Sequence, residues 1–514
     1  MSDVLPPYAE LPTGTAIRHA LKWQVIGLVL LAYHAFLVKQ SLAFVMAMPI
    51  LLAVLYTNAP LAGLLVYFQF LIYQNLMIAL AAVGMPAFNF TVLLGTNFLA
   101  VTLMAGIGAG RLFQPPWRQA TKGIMSAVIL AVLLAGCYGA LGTVRSGPTS
   151  AAVYFREFIG PACAVVVGLD VGRIWGFRTV AIGLLTSAVL SLLVALTEVA
   201  IPLDYYSWIN AVDFANLKSS SSLATIAYSA LDIVDQNTTS LFNFGWDSAN
   251  LAAATSFRFG SSLLNPISYA YILAIAGLAA ISLHRYLWLI VIVPLLIAIG
   301  VKGAAILLVL ALCLYTILVT TGSGRLTFVS TAILLTLYVV YGIRESLAFD
   351  DYHALGFLGG WHGFLSNPLG RGLGVGGNMS STASNVNWAD TIQRRGADFA
   401  VESAVGVLMY QMGIGALAIF AVFARLLKAA PFLKRKPQGR DIWFLALATV
   451  LVNGVFQEEA YAPTAAGLIS LMCAIVVINE GRQVTSLNAR VTQLLGRSDP
   501  ALGSSASAAK VLSR

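Results

Sequence analysis

Two stretches of this 514-residue chain, far apart in sequence, combine arginine with small, permissive residues. The first is Ser256-Phe-Arg258-Phe-Gly260-Ser-Ser-Leu-Leu-Asn265-Pro266. The second is Asn367-Pro-Leu-Gly-Arg371-Gly372-Leu-Gly374-Val-Gly-Gly-Asn378. Arginine grips phosphate oxygens through paired N–H donors, and glycine lets backbone amides approach an anion closely. Together they read as a site for a diphosphate, with Arg258 and Arg371 leading. Arg156, Lys302, Asn265, Gly372 and Gly374 are further ligand-binding candidates. A reaction at such a site needs a proton acceptor. Glu402 is the first choice, then His362 and Asp398, while Glu458 and Glu459 lie where they could face the same cavity. Bland readings stand beside these. An arginine in an exterior loop is commonly a headgroup anchor, and Glu402 could instead favour a helix N-terminus by its charge.

The elements that position these residues are apolar helices. The composition is 59% hydrophobic and only 10% charged, where a soluble domain is nearer a quarter charged. Fourteen candidate spans are read at 21–38, 42–58, 60–83, 90–110, 121–142, 158–175, 177–201, 266–283, 285–301, 303–320, 326–343, 402–424, 441–457 and 462–479. The expected fold class is an all-α polytopic membrane protein, with one catalytic domain over 1–497 and a disordered tail over 498–514. With both termini in the cytoplasm, most Lys and Arg fall in cytoplasmic segments, as the positive-inside rule requires, and most acids fall outside, where they are tolerated. The net charge of +9 is then topology and anionic-lipid contact; no nucleic-acid partner is implied.

That topology leaves two long exterior loops, 202–265 and 344–400, and each carries one arginine motif. Irregular backbone cannot face hydrocarbon, so both loops must sit at the membrane surface or line a cavity. The first is rich in aromatics, among them Tyr205, Tyr206, Trp208, Phe214, Phe257 and Phe259. They suit an interfacial belt or a platform for sugar rings. Ser219 to Ser222 offer a cap for a helix running on to Val234, and Asn265-Pro266 can open the span that follows. Gly372, Gly374 and Gly377 spell G-x-G-x-x-G, but no βαβ unit surrounds them, so a dinucleotide fold is not implied. His353 and His362 have no partner at metal-ligand spacing, and Cys137, Cys163, Cys313 and Cys473 all lie in spans. No metal, cofactor or disulfide framework is expected. After Arg482, apolar residues at helical spacing suggest an interfacial helix.

The chain resembles the superfamily of O-antigen ligases and Wzy-type polysaccharide polymerases. The resemblance covers roughly residues 156–480. It rests on Arg258 with Gly260 and Asn265-Pro266, the Lys302-Gly303 span start, Asn367-Pro368-Leu-Gly-Arg-Gly-Leu-Gly, and the glycine-containing span Val405 to Phe420. It implies a GT-C-like glycosyltransferase of the bacterial inner membrane, with its active site on the periplasmic face. Donor and acceptor would be polyprenyl-diphosphate-linked oligosaccharides, and the resemblance implies a flippase and a chain-length regulator as partners. Glu402-Ser403 stands where many members, ligases especially, have His-Asn, and Val301-Lys302 where Ser-Arg is common. Polymerisation of exopolysaccharide or O-antigen repeats is therefore favoured over ligation to lipid A core. A secondary transporter is the alternative of a different class, and it would show inverted repeats with matching broken helices.

Overall fold

The computed structural model describes residues 9–219, 229–240, 255–348, 352–380, 400–433 and 435–496. Its helices are α1 (Thr13–Gln40), α2 (Ala47–Asn58), α3 (Pro60–Ala81), α4 (Ala87–Leu94), α5 (Thr96–Leu112), α6 (Trp117–Ser146), α7 (Pro148–Gly172), α8 (Phe177–Ala200), α9 (Pro202–Trp208) and α10 (Ala211–Ser219). They continue as α11 (Ala230–Gln236), α12 (Pro266–Ser282), α13 (Leu289–Ile299), α14 (Lys302–Thr321), α15 (Gly324–Ala348), α16 (Tyr352–Ser366), α17 (Ala404–Met412), α18 (Ala416–Lys428), α19 (Ile442–Asn453) and α20 (Leu468–Gly496). A short antiparallel ribbon joins β1 (Thr238–Ser240) to β2 (Thr255–Phe257).

Among the described residues, ten helices are long and apolar enough to cross a membrane. The protein is a helical polytopic membrane protein. Every one of the fourteen apolar stretches falls on a helix, but not all reach spanning length. Leu42–Asn58, Pro266–Ser282 and Tyr286–Ile299 are shorter apolar helices, and the 441–457 stretch yields only the 12-residue α19. The break at Lys302 has a local cause: Gly300 turns left-handed (φ 68°) and ends α13 before α14 begins.

Two boundaries move residues of interest. The helix expected from residue 158 begins at Pro148, so Arg156 and Glu157 lie on α7 and not in a loop. The exterior segment from Arg344 is also less irregular than expected, because α15 runs on to Ala348 and the apolar helix α16 follows.

The core centres on α7, which packs against α5, α6 and α20. Gly168 and Gly172 permit this. A Cβ on Gly168 would overlap the Leu471 carbonyl, and one on Gly172 would overlap the Ile478 side chain. Between membrane helices, where lipid is as apolar as the protein, such close backbone approach is a main source of adhesion. The chain enters α20 through a 3₁₀ turn at Glu458–Tyr461 and a π-helical turn at Pro463–Gly467. Single π turns inside helices often mark functional positions.

The end of the bundle where α7 and α8 turn into Gly172–Phe177 is held by ion pairs. Asp170, fully buried, pairs with Arg111 (3.0 Å) and Arg173 (3.1 Å) and accepts from the Tyr56 hydroxyl (2.8 Å). Arg435 pairs with Asp441 (3.1 Å) and Glu480 (3.0 Å), and Arg440 joins Glu480. Pairing of this kind offsets the cost of burying Asp170 and Asp441. The helix α20 runs unbroken to Gly496, and the tail expected to be disordered lies outside the described residues.

Candidate functional site

At the opposite end of the bundle Arg258, from the first arginine-bearing segment, and His353 and Glu402, on either side of the second, come within electrostatic range of the turn before α20. Glu459 is their common neighbour. It interacts electrostatically with Glu402, His353 and Lys218, with Arg258 and with Glu157. Arg156 adds a second cation beside Glu157 and Lys218. Residues from α7, α10, the loop before α12, α16, the lead-in to α17 and the Glu458–Tyr461 turn thus share one charged cluster.

The cations feel both burial and the acids. Burial lowers the Lys218 pKa, Glu459 opposes that shift, and Arg156 reinforces it. Burial likewise disfavours charge on Arg258, and again Glu459 is the opposing partner. A single carboxylate that stabilises two partly desolvated cations is an arrangement that functional sites favour.

Glu458, next to Glu459 in the chain, is buried like Glu157, with 2% exposure. Its Oε2 accepts the Asn378 amide at 3.2 Å, and its carboxyl faces the Tyr154 hydroxyl. Its Oε1 is buried without a hydrogen-bond partner among the described residues. Asn378 also reaches the other acid, since its Oδ1 accepts the Glu402 amide at 3.3 Å. The glycine-rich segment therefore joins the cluster through Asn378, and the same residue fixes two glutamates.

Glu402 is held in an unusual backbone conformation, φ 58° without a glycine. Strain of this kind persists only where surrounding structure imposes it, and it concentrates at functional positions. Its Oε2 lies 3.8 Å from Nδ1 of His353, with both side chains about one-third exposed. Ser403 caps α17, its Oγ accepting the Gly406 amide at 3.0 Å. Ser403 thus holds the cap position, with Glu402 one residue before it.

Arg371 has a different set of neighbours. Its guanidinium donates to the Gly363 carbonyl (2.8 Å) and the Ser366 hydroxyl (2.9 Å), at the C-terminal end of α16. It stacks on the Tyr410 ring at 4.1 Å. A cation is favoured at a helix C-terminus, where carbonyl groups lack partners.

The amides around Arg371, offered by sequence to a diphosphate, are bonded within the protein. Arg371 and Gly372 both donate to the Gln411 carbonyl (2.9 Å), Leu373 to Tyr138, and Gly374 to Gln411 Oε1 (3.1 Å). Gly377 donates to Ala400 and Met379 to the Tyr154 hydroxyl (3.0 Å). The glycines serve close packing instead. A Cβ on Gly372 would stand 2.6 Å from the Gly142 nitrogen of α6, and one on Gly374 would stand 2.6 Å from the Ala151 nitrogen of α7. The expectation that Gly372 and Gly374 cradle an anion is corrected on this ground.

The other motif is similarly built. The Arg258 Nε donates to the Ile299 carbonyl that ends α13 (3.1 Å). Glu198, at the end of α8, receives the amides of Gly260 (2.9 Å) and Ser261 (2.5 Å) and the Tyr206 hydroxyl (2.6 Å). That buried carboxylate clamps the turn in which Ser261 and Leu264 take positive φ. Asn265 caps α12, its Oδ1 accepting from Ile267 (2.9 Å) and Ser268 (3.1 Å), as the Asn-Pro pair implied. Its side chain thus has a structural partner.

The remaining candidates are placed as follows. Arg156 reaches the Leu94 carbonyl at 3.4 Å. Lys302 is the half-buried first residue of α14. His362 is exposed on α16, and it is His353, earlier on that helix, that meets the acids. Asp398 lies outside the described residues. Tyr205, Tyr206, Phe214 and Phe259 are buried in the core rather than spread as a belt or platform, although Trp208 is 63% exposed. The helix expected after Ser219–Ser222 falls largely outside the described residues. Its described part, α11, is capped by Ser229 in a capping box with Asp232.

Sequence reading named Glu458 and Glu459 through their position at a span end, but gave them no leading role. Lys218 had only one signal: a basic residue in an exterior segment, against the positive-inside bias. Among the described residues, no group of three His, Cys, Asp or Glu side chains is arranged to hold a metal ion.

Comparison of the chain with protein-family models, with curated proteins and with solved structures finds no significant match.

Proposed function

We propose that the protein is a membrane glycosyltransferase that polymerises polyprenyl-diphosphate-linked oligosaccharide repeats at the periplasmic face of a bacterial inner membrane. The carrying observation is the cluster around Glu459, which collects Lys218, Arg258, His353 and Glu402 from separate segments. The expected topology, with both termini in the cytoplasm, supports a periplasmic position for this end of the bundle. Nucleotide sugars are absent there, so the donor must arrive on a lipid.

A lipid diphosphate is already a good leaving group. The main requirement is to neutralise its charge as the bond from the anomeric carbon to the phosphate oxygen breaks. Arg258 and Lys218 serve that role, with Arg156 beside them. The acceptor sugar hydroxyl forms the new bond to the anomeric carbon and gives its proton to Glu402, which His353 orients. Direct displacement inverts the anomeric configuration. Arg371 acts as a positioning residue: it locks the segment that carries Asn378, and Asn378 holds Glu402 and Glu458.

The test is reconstitution of purified protein in phospholipid vesicles with a polyprenyl-diphosphate oligosaccharide. A ladder of products is expected, and Arg258→Ala should lower turnover by roughly 10²–10³ with folded protein retained. Transfer only to lipid A core would replace polymerisation by ligation. Wild-type turnover in Arg258→Ala and Glu402→Gln would sink the site.

A further inference from the structure

The helix α8 ties the two ends of the bundle together. Glu198 lies at one end with the Arg258 motif, and Arg178 lies 20 residues earlier at the other. At 1.5 Å per residue this is roughly 30 Å, the thickness of a bilayer hydrocarbon core. Beside Arg178 a groove of about 360 Å³ opens between α1, α8 and the segment after α12.

The groove is amphipathic along its length. Its polar mouth is formed by Thr13, Arg178, Arg285 and Trp288. Among the described residues, no carboxylate lines it. Arg178 donates to Thr13 Oγ1 at 2.8 Å, which places its guanidinium over the first turn of α1. Two guanidinium groups, Arg178 and Arg285, make it attractive to an anion. Trp288 has the amphipathic ring suited to headgroup depth.

Away from the mouth the lining turns apolar. Ile182, Leu185 and Val189 of α8 form its floor, facing Ile17 and Leu283. From Arg178 to Val189 the floor runs about 16 Å along the helix, long enough for much of an acyl chain. A free phosphate would use the mouth alone. A lipid with an anionic phosphodiester headgroup would use both parts.

We propose that this groove is a specific site for an anionic phospholipid, with the phosphodiester between Arg178 and Arg285 and one acyl chain along α8. The occupant is a resident lipid of the bilayer, and the site is independent of the chemistry at the Glu459 end.

The test is native mass spectrometry of the full-length protein after exchange into detergent containing phosphatidylglycerol, phosphatidylcholine or inorganic phosphate. Wild-type protein should retain one phosphatidylglycerol in preference to phosphatidylcholine. Each arginine near the surface contributes about fivefold, so Arg178→Ala with Arg285→Ala should weaken retention by about thirtyfold. Thr186→Trp, which fills the groove without touching either charge, should displace the lipid as well. Equal retention of the two lipids, or retention unchanged in both the double variant and the groove-filled one, would overturn the proposal. Displacement by inorganic phosphate at equal concentration would do so too.

Discussion

The role assigned to the glycine-rich segment makes a sharp prediction for Gly372→Ala. Gly372 has φ 101°, a conformation that an L-residue adopts only under strain. Adopting it costs alanine about 1–2 kcal/mol. The added Cβ would also stand 2.6 Å from the Gly142 nitrogen, 2.9 Å from its Cα and 3.0 Å from the Leu141 carbonyl carbon. All three are backbone atoms of α6 and cannot rotate aside. Overpacking of this kind costs about 1–3 kcal/mol. The sum, about 2–5 kcal/mol, is a large part of the net stability of a typical domain. Gly136→Ala is the matched control. Gly136 is exposed on the same helix α6 and has nothing within 4 Å of a built Cβ, so alanine there should be neutral or stabilising by up to about 1 kcal/mol. The assay is thermal unfolding in detergent followed by loss of the monodisperse peak on size exclusion. Gly372→Ala should unfold well below wild type, and Gly136→Ala at or above it. Had the glycines served to cradle an anion, Gly372→Ala would unfold with wild type and lose only ligand binding. That outcome would refute the packing argument.

Three further outcomes follow from the same structure. Glu198→Gln turns an amide NH₂ towards donors that the carboxylate now accepts from, and should cost about 2–3 kcal/mol in thermal unfolding; Tyr206→Phe, which removes one donor, should cost only about 1 kcal/mol. Glu402→Gly should relieve the positive φ and raise stability by up to about 1 kcal/mol while abolishing turnover, whereas Glu402→Ala should give no stability gain. If both substitutions stabilise equally, the backbone is not strained at that position. For Lys218 the folded-state pKa is lowered by burial, so protonation penalises the folded state more than the unfolded one. The penalty is fully present below the folded pKa and is relieved as pH rises towards the ordinary lysine value of 10.5. Wild-type stability should therefore gain a rising alkaline component that Lys218→Met removes, and identical pH profiles would count against the burial argument.

Much of the architecture was legible because membrane helices are specified locally. A run of about 20 apolar residues needs no partner to declare itself. Glycine, proline and capping residues also act through their immediate neighbours. Asn265-Pro266 opens α12 and Gly300 separates α13 from α14 by such local rules. Boundaries were less secure where polar residues lie inside a helix, and Arg156 and Glu157 on α7 are the consequence.

The candidate site was legible in part. The sequence by itself determined that arginine, glycine and acid motifs must sit in segments excluded from lipid, since irregular backbone and charge are both costly in hydrocarbon. It did not determine which side chains meet. Arg371 and Gly372 form the more conspicuous motif, yet their donors are taken up by Gly363, Ser366 and Gln411. Lys218, His353 and Glu459 carry no motif, yet they share one cluster with Arg258 and Glu402. Only tertiary structure could decide this. A hydrogen bond is satisfied by whichever acceptor packing brings within about 3 Å, and a charge responds to neighbours hundreds of residues away. Asn378 is the clearest instance. In sequence it closes a glycine run; in the folded chain its amide and side chain join Glu458 to Glu402.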